Sequence, residues 1–230
     1  MDLSIIIPCH NLENYITPLL VSLQLQVYNK KEVEIIFVCD SCSDNTKKVI
    51  QEFPWFTTNY SLKLIETNVH NCGLARNEGF NLATGEYIWF LDGDDWLLSP
   101  SAINIVFNVL DKNPKEPILR IRFLSSPYFS KNLHTFFSMV WQYIFKKEFI
   151  NDIKFINIEP SEDVDFMEKV IHKKGDNTYL GLEIPLYYYN FGRPNSNMMK
   201  AIANLKKEKY NETYNVNWSE QSSNRLSYLR

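Results

Sequence analysis

Hydrophobic positions in the first half of the chain fall into two alternating kinds of run. Residues 3–7, 33–38 and 87–91 are short, apolar and largely free of polar alternation, which suits strands buried on both faces of a parallel sheet, and 62–66 reads as a further strand. For 87–91 a short buried helix competes, but Gly85 before it and Gly93 after it favour the strand. Between these runs the spacing changes to three and four. Tyr15, Ile16, Leu19, Leu20 and Leu23 mark a helix over 12–25 with Asn11 as its cap. Val49, Ile50 and Phe53 mark another, capped by Ser43 or Asp44, and a third runs over 74–83. The resulting βαβαβαβ order predicts an α/β fold, a mostly parallel Rossmann-like sheet with helices on both faces.

Regularity lapses later. Pro100 starts a helix over 101–110, 118–124 reads as a strand, 133–150 is strongly aromatic, 159–174 has helical spacing, and 182–191 is a tyrosine-rich strand. The expected organisation is a single domain over 1–197 in two functional halves, 1–110 and a smaller mixed α+β half at 111–197. A basic, polar tail occupies 198–230.

Candidate chemistry concentrates where the fourth strand ends. The run Tyr87-Ile-Trp-Phe-Leu91 breaks into Asp92-Gly93-Asp94-Asp95, and open α/β sheets place ligands at the carboxyl ends of their strands. Residues two apart in extended chain point the same way, so Asp92 and Asp94 can aim at one point, with Asp95 as a further oxygen donor. Hard oxygen ligands, few in number, suit Mg²⁺ or Mn²⁺ shared with substrate phosphates. The bland alternative is a solvated acidic turn. Pro8 and His10, Asp40, and Arg76-Asn77 follow the first three strands on the same side, which suits a phosphorylated ligand. Helix capping by Asp40 and an ordinary surface charge at Arg76 compete with that reading.

Composition narrows the field. The chain has 230 residues, 45% of them hydrophobic, enough for a sizeable core. A net charge of −3 gives no support for a nucleic-acid surface. Residues 191–230 nevertheless carry seven Lys/Arg against three Glu, a local +4 that leaves −7 on residues 1–190. The amino-terminal apolar run is too short for a signal peptide or a spanning helix, so a cytoplasmic protein is expected, with the inner face of the plasma membrane left open. Phe136, Phe137, Trp141, Tyr143, Phe145, Lys146 and Lys147, with Lys206, Lys207 and Lys209, are candidates for peripheral membrane contact, against the simpler reading of core aromatics and solvated lysines. Cys9, Cys39, Cys42 and Cys72, with His10 and His70, could suggest disulfides, a redox pair or a soft-metal site. Only one Cys-x-x-Cys pair is present, so small reduced residues near strand ends explain them better.

Five motifs in order, Ser4-Ile-Ile-Ile-Pro8, Asp40-Ser-Cys-Ser-Asp44-Asn-Thr46, Gly73-Leu-Ala-Arg76-Asn77-Glu-Gly79, Ala83-Thr-Gly85 and Leu91-Asp92-Gly-Asp94-Asp95, resemble the inverting family 2 glycosyltransferases of GT-A fold, the bacterial polysaccharide and lipopolysaccharide type. The second half matches more loosely, through Glu162-Asp163 before an amphipathic helix and through Tyr187-Tyr-Tyr189. By that resemblance Pro8, His10, Asp40, Arg76, Asp92, Gly93 and Asp94 bind the nucleotide sugar, with Asp40 on the uracil or ribose. Asp92, Asp94 and Asp95 hold Mn²⁺ or Mg²⁺, and Asp163 is the catalytic base, supported by Glu162. The implied donor is a nucleoside-diphosphate sugar, of UDP type, and the implied acceptor is a glycan or lipid-linked hydroxyl. The turn before Arg76 is shorter than in many members, and Asn190 stands where a basic residue is common, with Arg193 as its substitute.

Other classes fit less well. Phosphatases with an aspartyl nucleophile carry Asp-x-Asp on the first strand, and a nucleotidyltransferase needs a glycine-rich basic loop that Pro8-Cys-His-Asn11 lacks. A catalytically silent nucleotide-sugar-binding or scaffold subunit is the non-enzymatic alternative, marked by binding without turnover.

Overall fold

The structure, a computed structural model, describes residues 1–28, 31–56, 60–125, 139–158, 161–176, 178–193, 196, 199–200 and 203. The chain divides into two units, Met1–Leu124 with Ser138–Tyr189, and Ser125–Phe137 with Asn190–Arg230. In the second, the Ser196 N–H donates to the Arg193 carbonyl and the Lys200 N–H to the Ser196 carbonyl. Most of the expected tail, with Lys206, Lys207 and Lys209, lies outside the described residues, as do Phe136 and Phe137.

In the first unit, β1 (Leu3–Cys9), β2 (Val33–Asp40), β3 (Tyr60–Thr67) and β4 (Tyr87–Phe90) pair in parallel in the order β3-β2-β1-β4. Side chains of β1 alternate between two cores. Leu3, Ile5 and Ile7 meet α1 (Thr17–Gln24) and α4 (Ala102–Lys112), whereas Ile6 meets α3 (Cys72–Leu82) and α6 (Glu162–Lys174). With both faces covered, alternation has no selective value, which is why these strands read as continuous apolar runs. The short α2 (Thr46–Glu52) adds Ile50 to the first core.

Beyond β4 the sheet turns antiparallel, so the whole is mixed. β5 (Trp96–Leu97) and β6 (Ile118–Ser125) are followed by β7 (Tyr143–Lys146), the four-residue helix α5 (Lys147–Ile150) and β8 (Leu180–Tyr189). β7 inserts antiparallel between β4 and β6, and β5 pairs with β8, giving β3-β2-β1-β4-β7-β6-β8-β5.

Several boundaries depart from expectation. α1 starts at Thr17 rather than near residue 12, because Pro18 suits the first turn and Asn11, at φ 51°, gives its side-chain oxygen to the Ser43 N–H instead of capping a helix. The N-cap of α2 is Asn45 rather than Ser43 or Asp44; Asp44 stands one residue before it, and its side chain accepts from the Thr46 N–H at 2.9 Å. Trp141, Tyr143 and Phe145 are at most 1% exposed and belong to the core, so they form no membrane face. Lys146 pairs with Glu148, and Lys147 lies over the Phe80 ring. Among the described residues no helix is long and apolar enough to cross a membrane.

Candidate active site

β1 is flanked by β2 on one side and β4 on the other, and the chain enters β4 only after building outward through β3. The crevice at the carboxyl ends of β1 and β4 is therefore a topological switch point, where parallel sheets receive ligands. The end of β1 supplies Pro8 and the acidic turn follows β4. A Cβ on residue 93 would lie 2.5 Å from Leu12 Cδ1 and 3.3 Å from the Pro8 carbonyl oxygen, so glycine lets the turn lie against β1.

Arg76 gathers the acids. It projects from α3, is 2% exposed, and donates from Nη2 to Asp92 Oδ1 and from Nη1 to Asp163 Oδ1, each at 2.8 Å. Glu162 Oε1 stands 3.8 Å from Nη1, and the Phe155 ring centroid lies 5.4 Å from the guanidinium carbon. Burial opposes the charge on Arg76, but the surrounding carboxylates hold its pKa well above the usual guanidinium range. Among the described residues its Nε has no hydrogen-bond partner.

Asp163 sits in the first turn of α6 beside Glu162, where the helix dipole favours acids. That bland role coexists with an unusual environment. Burial pushes the Asp163 carboxyl up to about 7; Arg76 opposes the shift, Glu162 and Asp92 add to it, and the Val140 N–H pulls it down. Its side chain remains 15% exposed. A carboxyl tuned near neutrality is suited to taking a proton at physiological pH.

Asp40 is almost fully buried and organises the neighbouring loop. Its Oδ1 accepts from the Val69 N–H at 2.8 Å and the His70 N–H at 3.1 Å, and Oδ2 accepts from the Asn71 N–H at 3.0 Å. Burial raises its pKa but these donors outweigh it, leaving the carboxyl below the ordinary range. The Asp40 carbonyl accepts from His10 Nδ1 at 2.7 Å, which leaves Nε2 to accept from Asn11 Nδ2 at 3.3 Å. Asn71 caps α3 by accepting from the Leu74 N–H, so Asp40 indirectly fixes the helix that carries Arg76.

Asp95 departs from the expected acidic trio. It is fully buried and its Oδ2 accepts from the Tyr187 hydroxyl at 2.5 Å, while Asp92 and Asp94 stay partly exposed. Among the described residues no three His, Cys, Asp or Glu side chains already converge as a metal cluster. The donor set nevertheless fits Mn²⁺ or Mg²⁺. Two carboxylates flanking a glycine match ions that take one or two protein oxygens and fill the rest with phosphates and water. Cys9, Cys39, Cys42 and Cys72 are all free thiols. Burial raises the Cys72 pKa, and the side-chain contact with Cys39 is the largest effect raising that of Cys42.

Sequence reasoning placed Arg76, Asp92 and Asp163 on one site without indicating that they touch. It missed Val140 and Phe155 as site residues, because each arrives from an element distant in sequence and carries no local signal beyond hydrophobicity, and it singled out Tyr187 only as part of the tyrosine run, with no link to the acidic turn.

Residues 4–161 match the family model for glycosyl transferase family 2. The poly(ribitol-phosphate) β-N-acetylglucosaminyltransferase TarS of Staphylococcus aureus is 36% identical over 97 residues, covering 42% of this chain and 17% of that protein. An uncharacterized glycosyltransferase of Mycoplasma genitalium, MG060, is 31% identical over 121 residues, covering 52% of this chain and 40% of its own length. The crystal structure of Staphylococcus aureus TarS residues 1–349 with UDP superposes with a TM-score of 0.71 at 25% identity, over 83% of this chain and 60% of that one. The matched stretch thus spans less than a fifth of the full TarS sequence.

Proposed function

The chain belongs to glycosyl transferase family 2, and on that premise we propose that it transfers a sugar, with inversion, from a UDP-sugar to a hydroxyl of a bacterial cell-surface glycan or glycolipid. One observation carries the reading. Asp163 and Asp92 share the Arg76 guanidinium, each 2.8 Å from it, so a proton acceptor and the acidic turn border one crevice. The UDP-bound TarS structure and the N-acetylglucosaminyltransferase activity in that relative's name support the choice of donor.

In this reading Pro8, His10 and the loop held by Asp40 wall the nucleotide side. Gly93 gives the diphosphate close access to backbone. Asp92 and Asp94 would hold Mn²⁺ or Mg²⁺, which supplies Lewis-acid stabilisation of the leaving diphosphate's charge. Asp163 takes the proton from the acceptor hydroxyl as that oxygen forms a bond to the anomeric carbon from the face opposite the diphosphate. The bond from that carbon to the diphosphate oxygen breaks, and its electron pair leaves with UDP. Arg76 holds Asp163 in place and keeps its charged form accessible.

Thermal unfolding with nucleoside diphosphates and UDP-sugars, with and without Mn²⁺, tests the proposal on wild type and Asp94→Ala. A ligand at 100 times its Kd stabilises a fold by about 2.7 kcal/mol. The expected result is a UDP-selective, Mn²⁺-dependent rise that Asp94→Ala abolishes. No rise with any nucleotide overturns the donor assignment.

A further inference from the structure

The burial of Asp95 calls for an explanation, because an ionised carboxylate removed from water is costly unless it is paired. Its partner comes from β8, which lies between β6 and the edge strand β5. The Tyr187 hydroxyl, on β8, donates to Asp95 Oδ2 at 2.5 Å and accepts from the Asp92 N–H at 3.2 Å. One phenol oxygen therefore touches both ends of the acidic turn, and the turn closes on itself through the Asp95 N–H and the Asp92 carbonyl at 3.2 Å.

The phenol is itself immobilised. Its ring stacks on Trp141 with centroids 4.6 Å apart and planes 15° from parallel, and the Trp141 carbonyl accepts from Trp89 Nε1 of β4 at 3.0 Å. Backbone pairing ties the same two segments together only weakly. β5 is two residues long, with Leu97 opposite Tyr187, and the Leu98 N–H adds one bond to the Leu186 carbonyl. The turn preceding so short a strand needs another anchor.

We propose that Tyr187 and Asp95 form a buried strut that sets the pose of Asp92, Gly93 and Asp94, and that Asp95 is a positioning residue that touches neither metal nor diphosphate. The inference rests on the donor reading for its functional consequence but not for the strut itself. The same 3₁₀ turn that carries Trp141, Val140–Gln142, also gives the Val140 N–H to Asp163 Oδ2 at 3.1 Å. One short segment thereby steadies both the proposed base and the acidic turn.

The test compares Tyr187→Phe, Asp95→Asn and Asp94→Asn by NMR amide hydrogen exchange and by calorimetric titration of UDP with and without Mn²⁺. Tyr187→Phe keeps the stacking and removes only the hydroxyl, so exchange at the Asp92 amide should rise about tenfold and Mn²⁺-dependent UDP affinity should fall about tenfold. Asp95→Asn retains an oxygen that accepts from Tyr187, so its Mn²⁺-dependent affinity should stay within about threefold of wild type, whereas Asp94→Asn loses that dependence. Loss of Mn²⁺ dependence in Asp95→Asn equal to that in Asp94→Asn would make Asp95 a ligand and overturn the assignment. Unchanged exchange at Asp92 in Tyr187→Phe would overturn the strut. If wild type binds no UDP with Mn²⁺, the donor reading fails and the exchange comparison still decides the strut.

Discussion

Arg76 and Asp163 lie 87 positions apart in sequence and 2.8 Å apart in the fold, joined by Nη1 and Oδ1. The same guanidinium holds Asp92 at 2.8 Å, and Glu162 stands 3.8 Å away, so a single buried cation offsets three acids. Removing one partner of a buried ion pair typically costs about 3–5 kcal/mol, because the other charges are left uncompensated. Arg76→Met should destabilise the fold by about that amount at pH 7.5. The penalty should shrink at pH 5.5. Without Arg76 the buried Asp163 carboxyl loses the one charge that opposes its upward shift, the folded state binds more protons than the unfolded, and stability rises as pH falls. Urea denaturation at the two pH values measures this.

Burial sets Asp163 near 7, well above an ordinary carboxyl. A base works only when deprotonated, so the rate of UDP release from the donor should climb through pH 7 and level off above it. Below that point it should fall about tenfold per pH unit. A profile flat from pH 5 to 8 would exclude Asp163 as the titrating base.

Glu34 is a buried acid with a structural task at the opposite end of the sheet. Its Oε1 accepts from Ser4 Oγ at 2.6 Å and from the Thr84 N–H and hydroxyl, and Oε2 pairs with Lys63 at 2.6 Å. Burial pushes its pKa up, but Lys63, Ser4 and Thr84 outweigh that and hold it at about 2. Its stabilising contribution is complete above the ordinary carboxyl range and is lost as pH falls toward 2. Glu34→Ala leaves several donors unmatched and should cost about 2–3 kcal/mol at pH 7. The cost should decline in acid, as denaturant titrations between pH 7 and 2.5 would register.

Two glycines separate stability from function. At residue 85 a Cβ would lie 2.5 Å from the Ser4 backbone nitrogen, a group that cannot move without breaking β1, so Gly85→Ala should cost about 1–3 kcal/mol or more. At residue 93 the nearest atom is the tip of Leu12, which can shift, whereas the Pro8 carbonyl oxygen at 3.3 Å belongs to β1 and pushes the turn instead. Gly93→Ala should therefore leave the melting temperature within a few degrees of wild type while displacing the acidic turn and lowering UDP–Mn²⁺ affinity. Differential scanning calorimetry and titration calorimetry on the two variants check the contrast.

The parallel half of the sheet was legible because its strands are buried on both faces and separated by helical spacing, so 3–7, 33–38 and 87–91 announce themselves. β7 was not, since Tyr143–Lys146 lies in a continuous aromatic stretch without turn residues, and its place beside β4 is a long-range choice. β5, two residues long, is defined by its pairing with Tyr187 and Tyr188 of β8. Site residues were legible as types at strand ends, but not their partnerships. Asp95 illustrates the limit: adjacent to Asp94 in sequence, it faces the core because Tyr187 arrives there from 92 residues away. The reverse holds for Asp40, whose burial under the Val69–Asn71 amides reflects a loop that the sequence shows only as polar.

The most direct test of the account is the comparison of wild type and Asp163→Asn for donor binding and for turnover, using the UDP-sugar that stabilises the wild type most. Binding is read by calorimetry with Mn²⁺ and turnover by UDP release. Asn keeps the shape and loses the base, so the account predicts donor affinity close to wild type and a rate lower by about 10² to 10⁴. Turnover equal to wild type would contradict the assignment of Asp163 as the base.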